Sequence, residues 1–273
     1  MTVPQQPPAA RRALVVGGST GIGRAVAEAW ARTGLDVLVL SRTRPGGDDA
    51  ELLRWAPLDL TDADATRTAL ARAAAGPLDA VCYSAVSYGA RRAPFGDVAE
   101  DEWRRQVEVN LHGLWLTLAA TLPALRRARP GLFLGISSEV VYNAGPGRSG
   151  YAATKAAGSA LLDSVAQEEG PDGVRVVQAL PAGMVDTPGI RRRRPEDFDY
   201  GAYMRPELFA PLAHALVGAG AAAGHHGDSL VVDEHGQWHS VREARPVSQS
   251  REVRPVPRGR EVRRGSESSE VPA

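Results

Sequence analysis

Apolar residues fall along this chain in two alternating kinds of stretch. Short β-branched or leucine-rich runs predict seven strands, at Ala13 to Val16, Asp36 to Leu40, Trp55 to Leu58, Leu78 to Ala85, Leu132 to Ile136, Val174 to Leu180 and Ser229 to Asp233. Between them the apolar positions recur at helical spacing over Arg24 to Arg32, Ala63 to Ala75, Glu102 to Leu125 and Pro206 to Ala223. An alanine-rich segment beginning near Tyr151, with no proline before Pro171, predicts a further helix. Strands that alternate with helices predict an α/β fold, here a single doubly wound parallel sheet with helices on both faces. The periodic pattern spans residues 11–240. It is preceded by a Pro/Gln-rich, flexible N-terminus (1–10) and followed by a Pro/Arg/Ser/Glu-rich tail (241–273), nearly free of aromatics and expected to be disordered.

Composition narrows the function classes. The chain has 273 residues, 43% hydrophobic and 23% charged, enough for one main core plus a tail. Its formal net charge of zero provides no overall field for nucleic acid or an anionic membrane. The apolar run near the N-terminus is too short for a signal-peptide core or a membrane span, which predicts a cytoplasmic protein. The single cysteine, Cys82, sits inside an apolar run and reads as an inert core residue. Five of the six histidines follow Pro211, but no Cys or acidic ligand set recurs at metal-binding spacing, so no metal is expected.

Two motifs carry candidate chemistry. Tyr151 and Lys155, four apart, would stack a phenol and an ammonium on one helix face. A nearby cation favours phenolate, so the spacing predicts a tyrosine pKa lowered toward the working range of an acid-base group. Lys155 is also the only lysine among 32 Lys plus Arg, in a chain otherwise committed to arginine. A site that needs a compact ammonium would retain it. The second motif follows the first strand: Gly17-Gly18-Ser19-Thr20-Gly21-Ile22-Gly23 opens a helix, and such a turn lets the backbone and the helix N-terminus approach a pyrophosphate.

Tyr151-x-x-x-Lys155, preceded thirteen residues earlier by Ser138 and joined to Gly17-x-x-x-Gly21-x-Gly23, resembles the short-chain dehydrogenase/reductase family over residues 11 to 240. The resemblance implies a Rossmann-type fold and an oxidoreductase that interconverts a ketone or aldehyde and an alcohol. Ser138 would polarise the carbonyl, Tyr151 would exchange the proton, Lys155 would lower the tyrosine pKa and hold the nicotinamide ribose, and Asn110 would complete a proton relay. The implied cofactor contacts are Gly17, Ser19, Thr20, Gly21, Ile22 and Gly23 in the loop, then Ser41, Arg42, Asp59, Leu60, Ser84 and Ala85. Tyr151, Lys155, Val185 and Thr187 complete the set. No acid stands at 41, so Ser41-Arg42 favours NADP over NAD. One departure is Tyr83-Ser84-Ala85-Val86, where the family has Asn-Asn-Ala-Gly.

Pocket shape should come from Tyr88 to Phe95, Glu139 to Ser149, and Gly183 to Arg205, where the family carries a mobile lid. The short ending after Asp233 resembles the sepiapterin- and benzil-reductase branch, which implies vicinal dicarbonyl substrates. A homodimer or homotetramer is expected from apolar positions on more than one side of Glu102 to Leu125. Two other readings stay open: a catalytically idle NADP-binding regulator, and a partner-binding protein acting through the Arg251 to Arg264 tail.

Overall fold

The computed structural model describes residues 10–128, 130–218 and 223–242. Eight strands form one sheet in the order β3-β2-β1-β4-β5-β6-β7-β8. They are β1 (Arg12–Val16), β2 (Asp36–Ser41), β3 (Leu53–Pro57), β4 (Ala80–Tyr83), β5 (Gly131–Ile136), β6 (Val174–Pro181), β7 (Ser229–Val232) and β8 (Trp238–Ser240). Every pairing is parallel except the last. The order reverses at β1, with β2 on one side and β4 on the other, so a crevice opens beyond the strand C-termini there.

Both sheet faces are covered. On one face α1 (Gly21–Arg32) packs against α8 (Ala210–Val217). Trp30 is fully buried between them, and its indole N–H donates to the Ala213 carbonyl at 2.9 Å. On the other face lie α2 (Ala63–Ala73), α3 (Glu100–Val107), α4 (Gly113–Ala128) and α6 (Ser149–Glu168), over Val81, Phe133 and Val176. Asp62 caps α2, its carboxylate accepting from the Asp64 and Ala65 amides. The short α5 (Val140–Asn143) and α7 (Pro188–Arg191) follow β5 and β6. β6 is buried along its whole length, as a strand with helices on both sides must be.

Several elements differ from the expectation. β3 begins at Leu53, ahead of Trp55, and β4 is shorter than the apolar run that predicts it. β8 was not expected at all, being three residues long. It returns through a turn in which the Asp233 carboxylate accepts from the His235 and Gln237 amides, both at 2.9 Å, with Gly236 at φ 74°. It makes the sheet mixed at that edge. The long helix is interrupted by a π-turn, Glu108–His112, whose extra residue shifts the helix face at Asn110. The last predicted helix ends at Val217, and its continuation over 219–222 lies outside the described residues. Val241 is still tied in, its amide donating to the Ser229 carbonyl at 2.8 Å. The N-terminal residues 1–9 and the tail from 243 lie outside the described residues.

Candidate active site

The β1–α1 turn is shaped by glycines that no larger residue could replace. Gly17 has φ 85°, and a Cβ there would stand 2.4 Å from the Ala85 amide nitrogen, so the loops after β1 and β4 touch backbone to backbone. Gly21, at φ 61°, faces the Thr187 side chain. The first turn of α1 holds no acidic residue, and Thr20 makes no side-chain cap. Its amides and positive dipole end are therefore available to an anion at the mouth of the crevice.

A cleft of 1110 Å³ runs from this turn across the C-terminal ends of the strands. Of the residues predicted for the site, Gly17, Ser19, Thr20, Gly21, Ile22, Ser41, Arg42, Asp59, Leu60, Ser84, Ala85, Ser138, Tyr151, Lys155, Val185 and Thr187 line it. Gly23 and Asn110 do not. Gly23 lies beneath, where a Cβ would meet the Gly17 carbonyl oxygen at 2.4 Å, so its role is close helix-to-strand packing.

At the far β2 end, the Ser41 hydroxyl donates to the Thr43 carbonyl at 2.8 Å and lies 3.2 Å from the Trp55 indole N–H. Ser41 thus shapes the loop, while Arg42 and Thr43 face the cleft. Asp59 is held below the usual carboxylate range, first by the Thr61 amide and also by Arg42 and Arg105. Thr43 and Arg105 carry no motif and escaped the sequence reading.

The altered loop after β4 has its own anchors. The Tyr83 hydroxyl donates to the Val109 carbonyl in the π-turn, and Gly113 leaves the room it needs, since a Cβ there would stand 2.6 Å from that oxygen. The Asn110 side chain holds Ser87 from both sides: its Oδ1 accepts from the Ser87 amide at 2.7 Å, and its Nδ2 donates to the Ser87 carbonyl at 2.8 Å. Nδ2 also donates to Thr154 Oγ1 at 3.0 Å. The side chain of Asn110 therefore clamps the β4 loop to α6 and has no donor left for a relay.

Ser138 lies two residues beyond β5, and Tyr151 and Lys155 project from α6 into the same end of the cleft. The Lys155 ammonium is buried and donates to the Ile136 carbonyl at 2.8 Å. Burial lowers its pKa to about 8. The expected depression of the tyrosine is reversed: burial pushes the Tyr151 phenol up, Tyr88 adds to that, and only the Ser138 hydroxyl and Arg148 pull the other way. The helix spacing is as expected, but the Lys155 ammonium turns to the end of β5, and desolvation dominates at the phenol.

The Ser138 hydroxyl itself donates to Glu139 Oε2 at 2.7 Å, while Glu139 Oε1 accepts from Arg148 at 3.0 Å. Tyr88 packs against Tyr151 with ring centroids 5.1 Å apart and the planes tilted by 45°. Glu139, Arg148 and Tyr88 lie in the stretches expected to shape the pocket, but nothing local marked them individually. The segment after α7 is packed through Phe198, Tyr200 and Tyr203, with Arg191 4.5 Å above the Tyr200 ring.

Elsewhere, Cys82 is a buried free thiol whose pKa is raised by burial. His226 bridges the Val176 amide and the Ala166 carbonyl, a packing role. Among the described residues no group of three or more His, Cys, Asp and Glu is placed to hold a metal, and no helix is long and apolar enough to cross a membrane.

Residues 11–197 match the family model described as short chain dehydrogenase, and the chain belongs to that family of enzymes. It is 35% identical over 178 residues to D-erythrulose reductase of Gallus gallus, covering 63% of this chain and 70% of that one. An alcohol dehydrogenase from the archaeon Thermococcus sibiricus, solved with 5-hydroxy-NADP, superposes with a TM-score of 0.70 at 27% identity, over 83% of this chain and 97% of that chain. A short chain dehydrogenase from Burkholderia cenocepacia, solved with NADP, gives 0.69 at 26% identity over the same shares. These matches carry the family at large and do not single out the sepiapterin- and benzil-reductase branch.

The lysine makes a pH dependence. Between about 8, its folded value, and 10.5, its ordinary one, the unfolded chain holds a proton that the folded protein has released. The burial penalty is therefore fully present below about pH 8 and is relieved as pH rises through that window. Urea unfolding of the cofactor-free protein should show wild type gaining on Lys155→Met across it, by on the order of 3 kcal/mol. A pH-independent difference would remove the burial argument.

Proposed function

We propose that this protein is an NADP(H)-dependent carbonyl reductase, and the observation that carries the reading is the convergence of Ser138, Tyr151 and Lys155 at one end of the dinucleotide-sized cleft. The uncapped first turn of α1 and the glycine cradle at Gly17 and Gly21 fit a diphosphate, and Arg42 beside Asp59 fits an adenosine 2′-phosphate. When bound, NADPH supplies hydride to the carbonyl carbon. The chain's own residues meet the charge that develops on oxygen. Ser138 transfers its O–H donor from Glu139 to the substrate oxygen, and Tyr151 gives that oxygen its proton. A phenol raised by burial is protonated at neutral pH, the form that can give the oxygen its proton. Lys155 is charged below about pH 8 and lies one helical turn after Tyr151, while the Asn110 side chain has no donor left for a relay.

The substrate is a ketone or aldehyde. The name of the Gallus gallus relative puts hydroxyketones, and the resemblance noted after Asp233 puts vicinal dicarbonyls, on the panel of carbonyls to be tried. A homo-oligomer is supported by α4, which buries Leu114, Leu116 and Leu118 inward yet leaves Trp115 51% exposed, stacked on His112. A partner helix would cover that face.

Three measurements test this reading. Tyr151→Phe should bind NADPH nearly as wild type and lose turnover by orders of magnitude, followed as NADPH oxidation at ~340 nm against a panel of such carbonyls. Retained turnover would free Tyr151 of its role, whereas NADPH binding without any turnover in wild type would favour the idle regulator. Arg42→Ala should weaken NADPH about ten- to a hundredfold more than NADH. Equal losses for the two cofactors would return Arg42 to the background of an arginine-rich chain. Sedimentation at micromolar concentration should give a dimer or tetramer, and a monomer would sink the α4 interface.

A further inference from the structure

The substrate end of the cleft is ringed by arginines whose partners differ. Arg148 is ion-paired with Glu139, and Arg191, just outside the lining, with Asp186. Arg194 donates to the Tyr203 hydroxyl. Arg92, Arg192 and Arg193 have none of these, and of the three only Arg193 is half-buried. The Arg193 side chain lines the cleft, its Nε, like that of Arg148, is buried without a hydrogen-bond partner, and among the described residues no carboxylate lies within ion-pair distance of it. The Glu102 carboxylate, the acid that acts on it from α3, accepts instead from the Ala90 amide at 3.0 Å. Arg92 and Arg194 add like charge rather than relief.

The position of Arg193 is fixed on both sides. Thr187 caps α7, and the Arg193 amide donates to the Ile190 carbonyl at 2.9 Å, so the residue closes a helical turn rather than riding on a loose loop. Its guanidinium lies 5.4 Å from the Tyr88 ring centroid, and Tyr88 is the ring that packs against Tyr151. The cation and the reacting phenol are thus separated by one aromatic side chain. A half-buried guanidinium without an acceptor is costly unless an anion completes it. With Nε enclosed by protein, the Nη edge of the fork is the part that can meet a planar carboxylate in the cleft.

We infer that Arg193 is the specificity residue of this pocket, and that the natural substrate is a carbonyl compound bearing a carboxylate about a ring's width from the reacting oxygen. This rests on the carbonyl-reductase reading above and names the class of substrate within it. The carboxylate docks on the Nη edge of Arg193 while the carbonyl reaches Ser138 and Tyr151. Arg148 is already ion-paired with Glu139, and Arg92 and Arg192 are exposed at the rim.

The test compares oxo acids with their neutral primary amides as matched pairs: 4-oxocyclohexanecarboxylate, 3-oxocyclohexanecarboxylate and 4-oxopentanoate, each at saturating NADPH. For at least one pair, kcat/KM should favour the acid by about ten- to a hundredfold, mostly through KM. In Arg193→Gln that acid-to-amide ratio should fall close to one, with NADPH affinity retained, and Arg193→Lys should keep part of it because charge remains without the fork. Amides reduced as well as acids in wild type, or a hydroxyketone or diketone reduced while every oxo acid is refused, would overturn the proposal and leave the reductase reading standing. Equal losses for acid and amide in Arg193→Gln would do the same, showing that Arg193 only latches Tyr88. No NADPH oxidation with any carbonyl would instead overturn the reading of function, and the substrate class with it.

Discussion

The buried ammonium of Lys155 is the constraint around which this molecule is arranged. A cation out of water needs a fixed acceptor, and the one it has is the carbonyl of Ile136, at the last residue of β5. That bond ties α6 to the end of the strand that delivers Ser138. It therefore sets the distance between the serine and the tyrosine one helical turn before the lysine. Gly135, one residue earlier, admits the Leu162 side chain where a Cβ would stand 2.4 Å from its methyl, so helix and strand come together closely enough for the bond to form.

Around that bond lies a second set of fixed points. The π-turn at Glu108–His112 carries Asn110 inward, where it holds Ser87 and Thr154 together, while Val109 receives the hydroxyl of Tyr83. A π-turn costs helix regularity and re-aims a side chain. Here it joins three chain segments: the β4 loop, the long helix and α6. The replacement of the family's Asn-Asn-Ala-Gly by Tyr83-Ser84-Ala85-Val86 is compatible with this because Ser84 still hydrogen-bonds through its backbone, to the Val16 carbonyl at 2.9 Å, and Ala85 keeps the close approach to Gly17.

The same burial decides the electrostatics. Desolvation lowers the lysine, raises the phenols of Tyr88 and Tyr151, and leaves the arginines on the pocket wall dependent on specific partners. Glu139 serves two of these groups at once, accepting from Ser138 and from Arg148.

Most of the architecture was legible in the sequence because it rests on local periodicity. The short apolar run at Leu132 to Ile136 and the valine-rich Val174 to Leu180 have the length and flanks of strands covered on both sides, and a glycine turn between strand and helix specifies its own geometry. Tyr151 and Lys155 were likewise readable as a pair, from spacing and from the solitary lysine, and Ser138 joined them through the family resemblance. Three things were not. The eighth strand is too short to have a period, the π-turn leaves no mark in a helical pattern, and the sign of the Tyr151 shift depends on burial rather than on distance along a helix. Which of the many arginines has a partner was hidden for the same reason: a guanidinium's surroundings are assembled from segments far apart in the chain, and only the tertiary structure brings Arg193 to Tyr88 and leaves its Nε unpaired.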